Sequence, residues 1–176
     1  MNLANKITMV RVVLIPVFLV VLYLDFNYNN LVALAIFIIA SISDFLDGQI
    51  ARRCNMVTDF GKFVDPIADK MLVTAAMCMF VEQGRMAAWM LLIVLVREFA
   101  IAAFRQIAAT GGKVIAAAWS GKIKTAATMV CIILMLAVTT MPMLDLVCSW
   151  VIVLTTIYSG VEYILKNKEV VNWADC

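Results

Sequence analysis

The chain has 176 residues, of which 65% are hydrophobic and only 15% charged, with a formal net charge of +2 and no histidine. Its mean hydropathy of +1.00 is too apolar for a soluble domain of this length and assigns it to the membrane class. The missing histidine excludes Ser-His triads, His-liganded zinc and imidazole general bases, so acid–base work falls to carboxylates.

Crossing a bilayer takes about 17 to 25 predominantly apolar residues. Six candidates appear: Ile7 to Leu24, Leu31 to Ile50, Pro66 to Val81, which is short if counted from Pro66, Met86 to Phe104, Ile123 to Thr140, and Leu144 to Leu165. The first follows Lys6 and contains Arg11, as a signal peptide might be arranged. No small-x-small cleavage site follows Val20 and further spans come after it, so a retained first helix is expected.

The second and third stretches meet at a concentration of acid. Asp44, Asp47, Asp59, Asp65 and Asp69 fall within 26 positions. An Asp at the centre of a membrane helix costs roughly 2.5 to 3.5 kcal/mol, so four together cost about 10 kcal/mol unless cations or water compensate. On a helix, Asp44, Asp47, Gly48, Ala51 and Arg52 share an arc of about 140°. Asp65 and Asp69, at i and i+4, stack one turn apart. Two such faces make an oxygen-only cage of the kind Mg²⁺ uses with phosphate substrates. Pro66 suits a first helical position, which predicts that Asp65 caps the third helix. Gly48 and Ala51 leave room for close approach of a ligand or of a neighbouring helix.

The fourth stretch contains Arg97 and Glu98, where an ion pair or a contact to the site would relieve burial, and Arg105 stands near its end. Lys122 and Lys124 open the fifth. Alternate connections differ in charge. Asp25 to Asn30, Glu82 to Arg85 and Met141 to Met143 hold one basic residue, Arg85, whereas the other side holds nearly all the rest. The positive-inside rule then predicts that both termini and the Asp cluster are cytoplasmic. The five cysteines are scattered, with no C-x-x-C pair, so they read as packing residues rather than disulfides or thiolate ligands. Trp89, Trp119, Trp150 and Trp173 read as interfacial or packing aromatics. No repeat or soluble appendage stands out, and the expectation is an all-α integral membrane protein of six transmembrane helices in a single domain.

The string Asp-x-x-Asp-Gly-x-x-Ala-Arg-x8-Gly-x-x-x-Asp-x-x-x-Asp, formed by Asp44, Asp47, Gly48, Ala51, Arg52, Gly61, Asp65 and Asp69, resembles the signature of the CDP-alcohol phosphotransferase family at every position. Flanking strings are similar to the bacterial members that use glycerol 3-phosphate: Asn5 to Thr8 with Arg11, Phe60 to Lys70, Arg97-Glu98, Gly121 to Thr125, and Ser159 to Tyr163.

This resemblance implies transfer of a phosphatidyl group from CDP-diacylglycerol to sn-glycerol 3-phosphate, with loss of CMP, in a bacterial inner membrane. It implies a carboxylate metal site at the cytoplasmic side, in which Asp44, Asp47, Asp65 and Asp69 hold Mg²⁺ or Mn²⁺, with two ions expected. Asp69 would also be the base that takes the acceptor's hydroxyl proton. Gly48, Ala51, Arg52 and Gly61, with Asn5 and Thr8, would line the nucleotide site. Arg105, Lys122 and Lys124 would bind the acceptor phosphate, against the plainer reading of these three as interfacial anchors. A homodimer is expected and no nucleic acid. Phosphatidylglycerol or inositol phosphate as the acceptor is the alternative within the family. Outside it, the alternatives are a cation or proton transporter, and a non-catalytic membrane scaffold.

Overall fold

The computed structural model describes residues 3–24, 26–53, 59–110 and 119–167, with side chains at 9–24, 26–43, 67, 70–109 and 119–167. Six helices follow one another: α1 (Leu3–Tyr23), α2 (Asn29–Arg53), α3 (Asp59–Glu82), α4 (Ala88–Thr110), α5 (Trp119–Ala137) and α6 (Pro142–Lys166), with no strand among the described residues.

Apolar content located these helices, but their ends differ from the apolar boundaries. Helix α3 begins at Asp59, so Pro66 lies within it and Asp65 is an interior residue rather than its cap. A proline at that place has no N–H for the carbonyl of residue 62, an omission that membrane helices tolerate. Helix α4 continues past Phe104 to Thr110, and α2 runs through the polar end of the Asp signature to Arg53. Backbone hydrogen bonding continues into residues too polar to belong to an apolar stretch.

Helices α5 and α6 are long and apolar enough to cross a membrane. Over their described side chains α1 and α2 contribute the shorter apolar lengths Met9–Tyr23 and Asn29–Ser43, and α4 carries Arg97, Glu98 and Arg105. Even so, apolar side chains cover outer as well as inner faces. On α1, Ile15, Phe18 and Leu22 are buried while Val10, Val13, Val17 and Val20 are exposed. A helix that is hydrophobic all round suits a lipid surrounding.

By its contacts the chain divides into two compact units. In the first, Met1–Gln83 with Ile132–Met141, α1 packs along both α2 and α3, and α2 and α3 meet over a shorter length. Its core includes Phe18, Phe37, Leu72, Met77, Phe80 and Met135, each almost fully buried. The Phe18 and Phe37 ring centroids are 6.2 Å apart. The Tyr23 hydroxyl donates to the Glu82 carboxylate, tying the C-terminal ends of α1 and α3 together.

The second unit is Gly84–Cys131 with Pro142–Cys176. Gly84 opens it with φ of 70°, a left-handed conformation that ends the α3 helix at little cost only for glycine. Pro142 begins α6, where its missing N–H is harmless. Arg85 then grips Asp145 in the first turn of α6, Nε to Oδ2 at 2.8 Å and Nη2 to Oδ1 at 2.6 Å. From there the α4–α6 contacts run in the same order along both helices: Trp89 edge-on to Trp150 with centroids 5.7 Å apart, Arg97 to Ser159, and Phe104 edge-on to Tyr163 at 5.9 Å. Helices α4 and α6 are therefore parallel.

Candidate active site

In the first unit, two contacts set the helix registers. Phe18 lies near the end of α1 and meets Phe37 near the start of α2, so these helices run antiparallel. Seven residues back from Phe18 is Arg11, and seven residues on from Phe37 is Asp44. Tyr23 and Glu82 end α1 and α3 together, so those two helices run parallel. Twelve residues before Tyr23 is again Arg11, and twelve before Glu82 is Lys70, next to Asp69.

The backbones of Asp44 and Asp69 thus lie level with Arg11. Those of Asp47 and Asp65 lie about one turn nearer the N-terminal end of α1, level with Thr8 and Lys6. Gly48, Ala51, Arg52 and Gly61 follow toward the same end, alongside Asn5. The side chains of Asn5, Thr8, Asp44, Asp47, Gly48, Ala51, Arg52, Gly61, Asp65 and Asp69 lie outside the described residues. Among the described residues no cluster of His, Cys, Asp or Glu has the makings of a metal site.

Arg11 is described, and its side chain is among the largest fully buried ones of the described residues, at 1% exposure. It continues the buried α1 face of Ile15, Phe18 and Leu22, which packs against α2 and α3. A fully buried arginine costs several kcal/mol unless carboxylates or hydrogen bonds meet it. The sequence reading used Arg11 only for topology and for the family resemblance. Its spacing to Ile15, Phe18 and Leu22, at i+4, i+7 and i+11, was the available sign that it faces inward.

In the second unit the three basic residues assigned to the acceptor phosphate take different partners. Arg105 sits with its guanidinium carbon 5.5 Å from the Tyr163 ring centroid, and its Nε donates to the Tyr163 hydroxyl at 3.3 Å. Lys122 is exposed, its ammonium 5.2 Å from the centroid of the Trp119 ring. Lys124, 6% exposed, donates to Glu98 Oε1 at 2.6 Å.

The same Glu98 oxygen accepts from Arg97 Nη1 at 2.8 Å, and Arg97 Nη2 donates to Ser159 Oγ at 2.5 Å. This network joins α4, α5 and α6. Gly160 admits it, since a Cβ there would stand 3.2 Å from Arg97 Cγ, whereas one on Gly121 would make only ordinary contact, 3.8 Å from Arg97 Nη2. Three strings far apart in the sequence, Arg97-Glu98, Gly121 to Thr125 and Ser159 to Tyr163, therefore converge on one guanidinium. Lys124 also lines a cleft of about 380 Å³ between α5 and α6, together with Ser120, Thr155, Tyr158 and Glu162. At the end of α6, Lys166 donates to Glu162.

The six helices thus carry a buried cation on α1, level with backbones of the Asp signature on α2 and α3, and a polar network that joins α4, α5 and α6. Residues 1–158 match the CDP-alcohol phosphatidyltransferase family, and the chain belongs to that family. It is a transferase whose family generally uses divalent metal ions. The chain is 40% identical to the CDP-diacylglycerol--glycerol-3-phosphate 3-phosphatidyltransferase of Bacillus subtilis, with 96% of each chain covered. It is 44% identical to the protein of the same name from Salmonella typhimurium over 73% of each. It is also 37% identical to a probable phosphatidylglycerophosphate synthase of Mycobacterium tuberculosis, over 94% of this chain and 81% of that one.

Proposed function

We propose that the chain transfers the phosphatidyl group of CDP-diacylglycerol to sn-glycerol 3-phosphate, giving phosphatidylglycerophosphate and CMP. The observation that carries this reading is similarity along almost the whole length to a relative named for that transfer. The placing of the four Asp backbones within about one helical turn of each other's level supports the chemistry.

Four carboxylates, two on α2 and two on α3, form a donor set of hard oxygens, which fits Mg²⁺ or Mn²⁺. Asp44, Asp47, Asp65 and Asp69 would hold the metal, with two ions as our reading. Bound there, divalent cations would supply positive charge against the diphosphate of CDP-diacylglycerol and the charge that develops as CMP leaves.

Asp69 takes the proton from the attacking hydroxyl of glycerol 3-phosphate. The new bond joins that oxygen to the lipid-side phosphorus, and the bond that breaks joins this phosphorus to the oxygen bridging to CMP. Gly48, Ala51, Arg52 and Gly61, with Asn5 and Thr8, bind the nucleotide. Arg105, Lys122 and Lys124 bind the acceptor phosphate, Arg through a planar fork and Lys as a point charge. All six helices cross the bilayer, with both termini and the carboxylates cytoplasmic, and the protein works as a homodimer.

The test is CMP release by the purified protein from CDP-diacylglycerol, with glycerol 3-phosphate, inositol phosphate and phosphatidylglycerol supplied one at a time. Release with glycerol 3-phosphate alone, abolished by a chelator and restored by Mg²⁺, is expected. Release with another acceptor instead would overturn the assigned substrate. Release undiminished by a chelator would overturn the metal assignment.

A further inference from the structure

We propose that Glu98 is a positioning residue of the acceptor-phosphate site: it seats Arg97 and Lys124 on one carboxylate oxygen, as a preformed cationic pair for the phosphate. This rests on the reading of Lys124 as an acceptor-binding residue, and it adds Arg97, Glu98, Ser159 and Gly160 to that site.

Four observations carry it. Glu98 Oε1 receives Lys124 Nζ at 2.6 Å and Arg97 Nη1 at 2.8 Å, so one anion holds two cations and the trio keeps an excess of one positive charge. The three side chains are largely removed from solvent, at 14%, 19% and 7% exposure for Arg97, Glu98 and Lys124. An excess charge at such a place calls for an anion, and the acceptor's dianionic phosphate is one.

Second, the arginine is not used up by the network. Its Nε is buried and has no hydrogen-bond acceptor among the described residues. A purely structural interlock between helices tends to satisfy every buried donor. Third, the arginine is held from both sides, by Glu98 through Nη1 and by Ser159 through Nη2, and Gly160 gives its stem a place against α6 that a Cβ, 3.2 Å from Arg97 Cγ, would crowd. That is how a group is fixed in advance for a ligand rather than recruited by it. Fourth, Lys124 borders the open cleft between α5 and α6, so this member of the pair is not sealed inside the protein.

Removing the charge of Glu98 leaves two cations facing each other with no carboxylate between them, and they separate. The experiment is steady-state kinetics of the full chain carrying Glu98→Gln, varying glycerol 3-phosphate and CDP-diacylglycerol in turn. The KM for glycerol 3-phosphate should rise about tenfold or more while that for CDP-diacylglycerol stays within about twofold, the mark of a lost contact to one substrate. Glu98→Asp, which keeps the charge, should recover part of the loss. Gly160→Ala, which presses on Arg97, should move the same constant in the same direction.

If Glu98→Gln does not fold, Glu98→Asp and Gly160→Ala carry the test by the same constant. A glycerol 3-phosphate KM unchanged in the folded variants overturns the proposal, and so does a fall in melting temperature and kcat with both KM values preserved. Wild-type protein that releases no CMP with glycerol 3-phosphate sinks the underlying reading instead, and a normal KM in Lys124→Met removes Lys124 from the site.

Discussion

Asp69 and Arg11 lie on neighbouring helices at one level, and the chemistry assigned to each gives a separate prediction. Asp69→Asn removes the base but keeps the shape. Its kcat should fall by roughly 10² to 10⁴ while the CDP-diacylglycerol KM changes little, because proton removal belongs to the transition state. Turnover near the wild-type rate would take Asp69 out of that role. Arg11 supplies fixed positive charge, buried at 1% exposure, to a level that also carries two Asp backbones. With Arg11→Met, compensation of those carboxylates depends more heavily on bound cations. Added Mg²⁺ should therefore raise the melting temperature of Arg11→Met more than that of the wild type. An equal rise in both would mean that Arg11 serves other partners.

Among the elements, the start of α6, held by the residue that precedes α4, is the place whose stability can be probed apart from catalysis. Arg85 and Asp145 form a two-pronged ion pair with side chains 12% and 7% exposed. Replacing Asp145 by Ala removes the carboxylate from a buried ion pair, which costs about 3 kcal/mol in stability. Thermal unfolding should show that loss, with both KM values of the surviving folded enzyme unchanged; a shifted KM would connect this junction to the site. Gly84→Ala, at a φ of 70°, should cost about 1 kcal/mol by backbone strain alone, since nothing stands within 4 Å of the added methyl.

The helices themselves were legible from hydropathy because each is built around an apolar stretch. Their ends were not, because the chain keeps hydrogen bonding into polar residues. Pro66 is the plainest instance: proline is common at a helix start, yet α3 begins at Asp59 and carries Pro66 in its interior. The Asp signature was legible because its residues sit within two neighbouring helices, at spacings of three and four. The Arg97–Glu98–Lys124–Ser159 network was not. Its members come from three helices, and only packing decides that Lys124 faces Glu98 while Lys122, two residues earlier, lies over Trp119.

On the scale of the whole molecule, charge and apolarity are divided in a way that a lipid enzyme requires. Carboxylates and most cations belong to one end of the predicted spans, and apolar residues cover the outer helix faces from Val10 on α1 to Leu165 on α6. Under the proposed function, a water-soluble acceptor and a lipid donor would meet where those two surfaces join. The most direct test of this account is mass spectrometry of the lipid formed by the purified protein from CDP-diacylglycerol, glycerol 3-phosphate and Mg²⁺. Phosphatidylglycerophosphate, formed in step with CMP and absent with Asp69→Asn, is the predicted product. Phosphatidic acid as the sole lipid product, or a product formed without glycerol 3-phosphate, would contradict it.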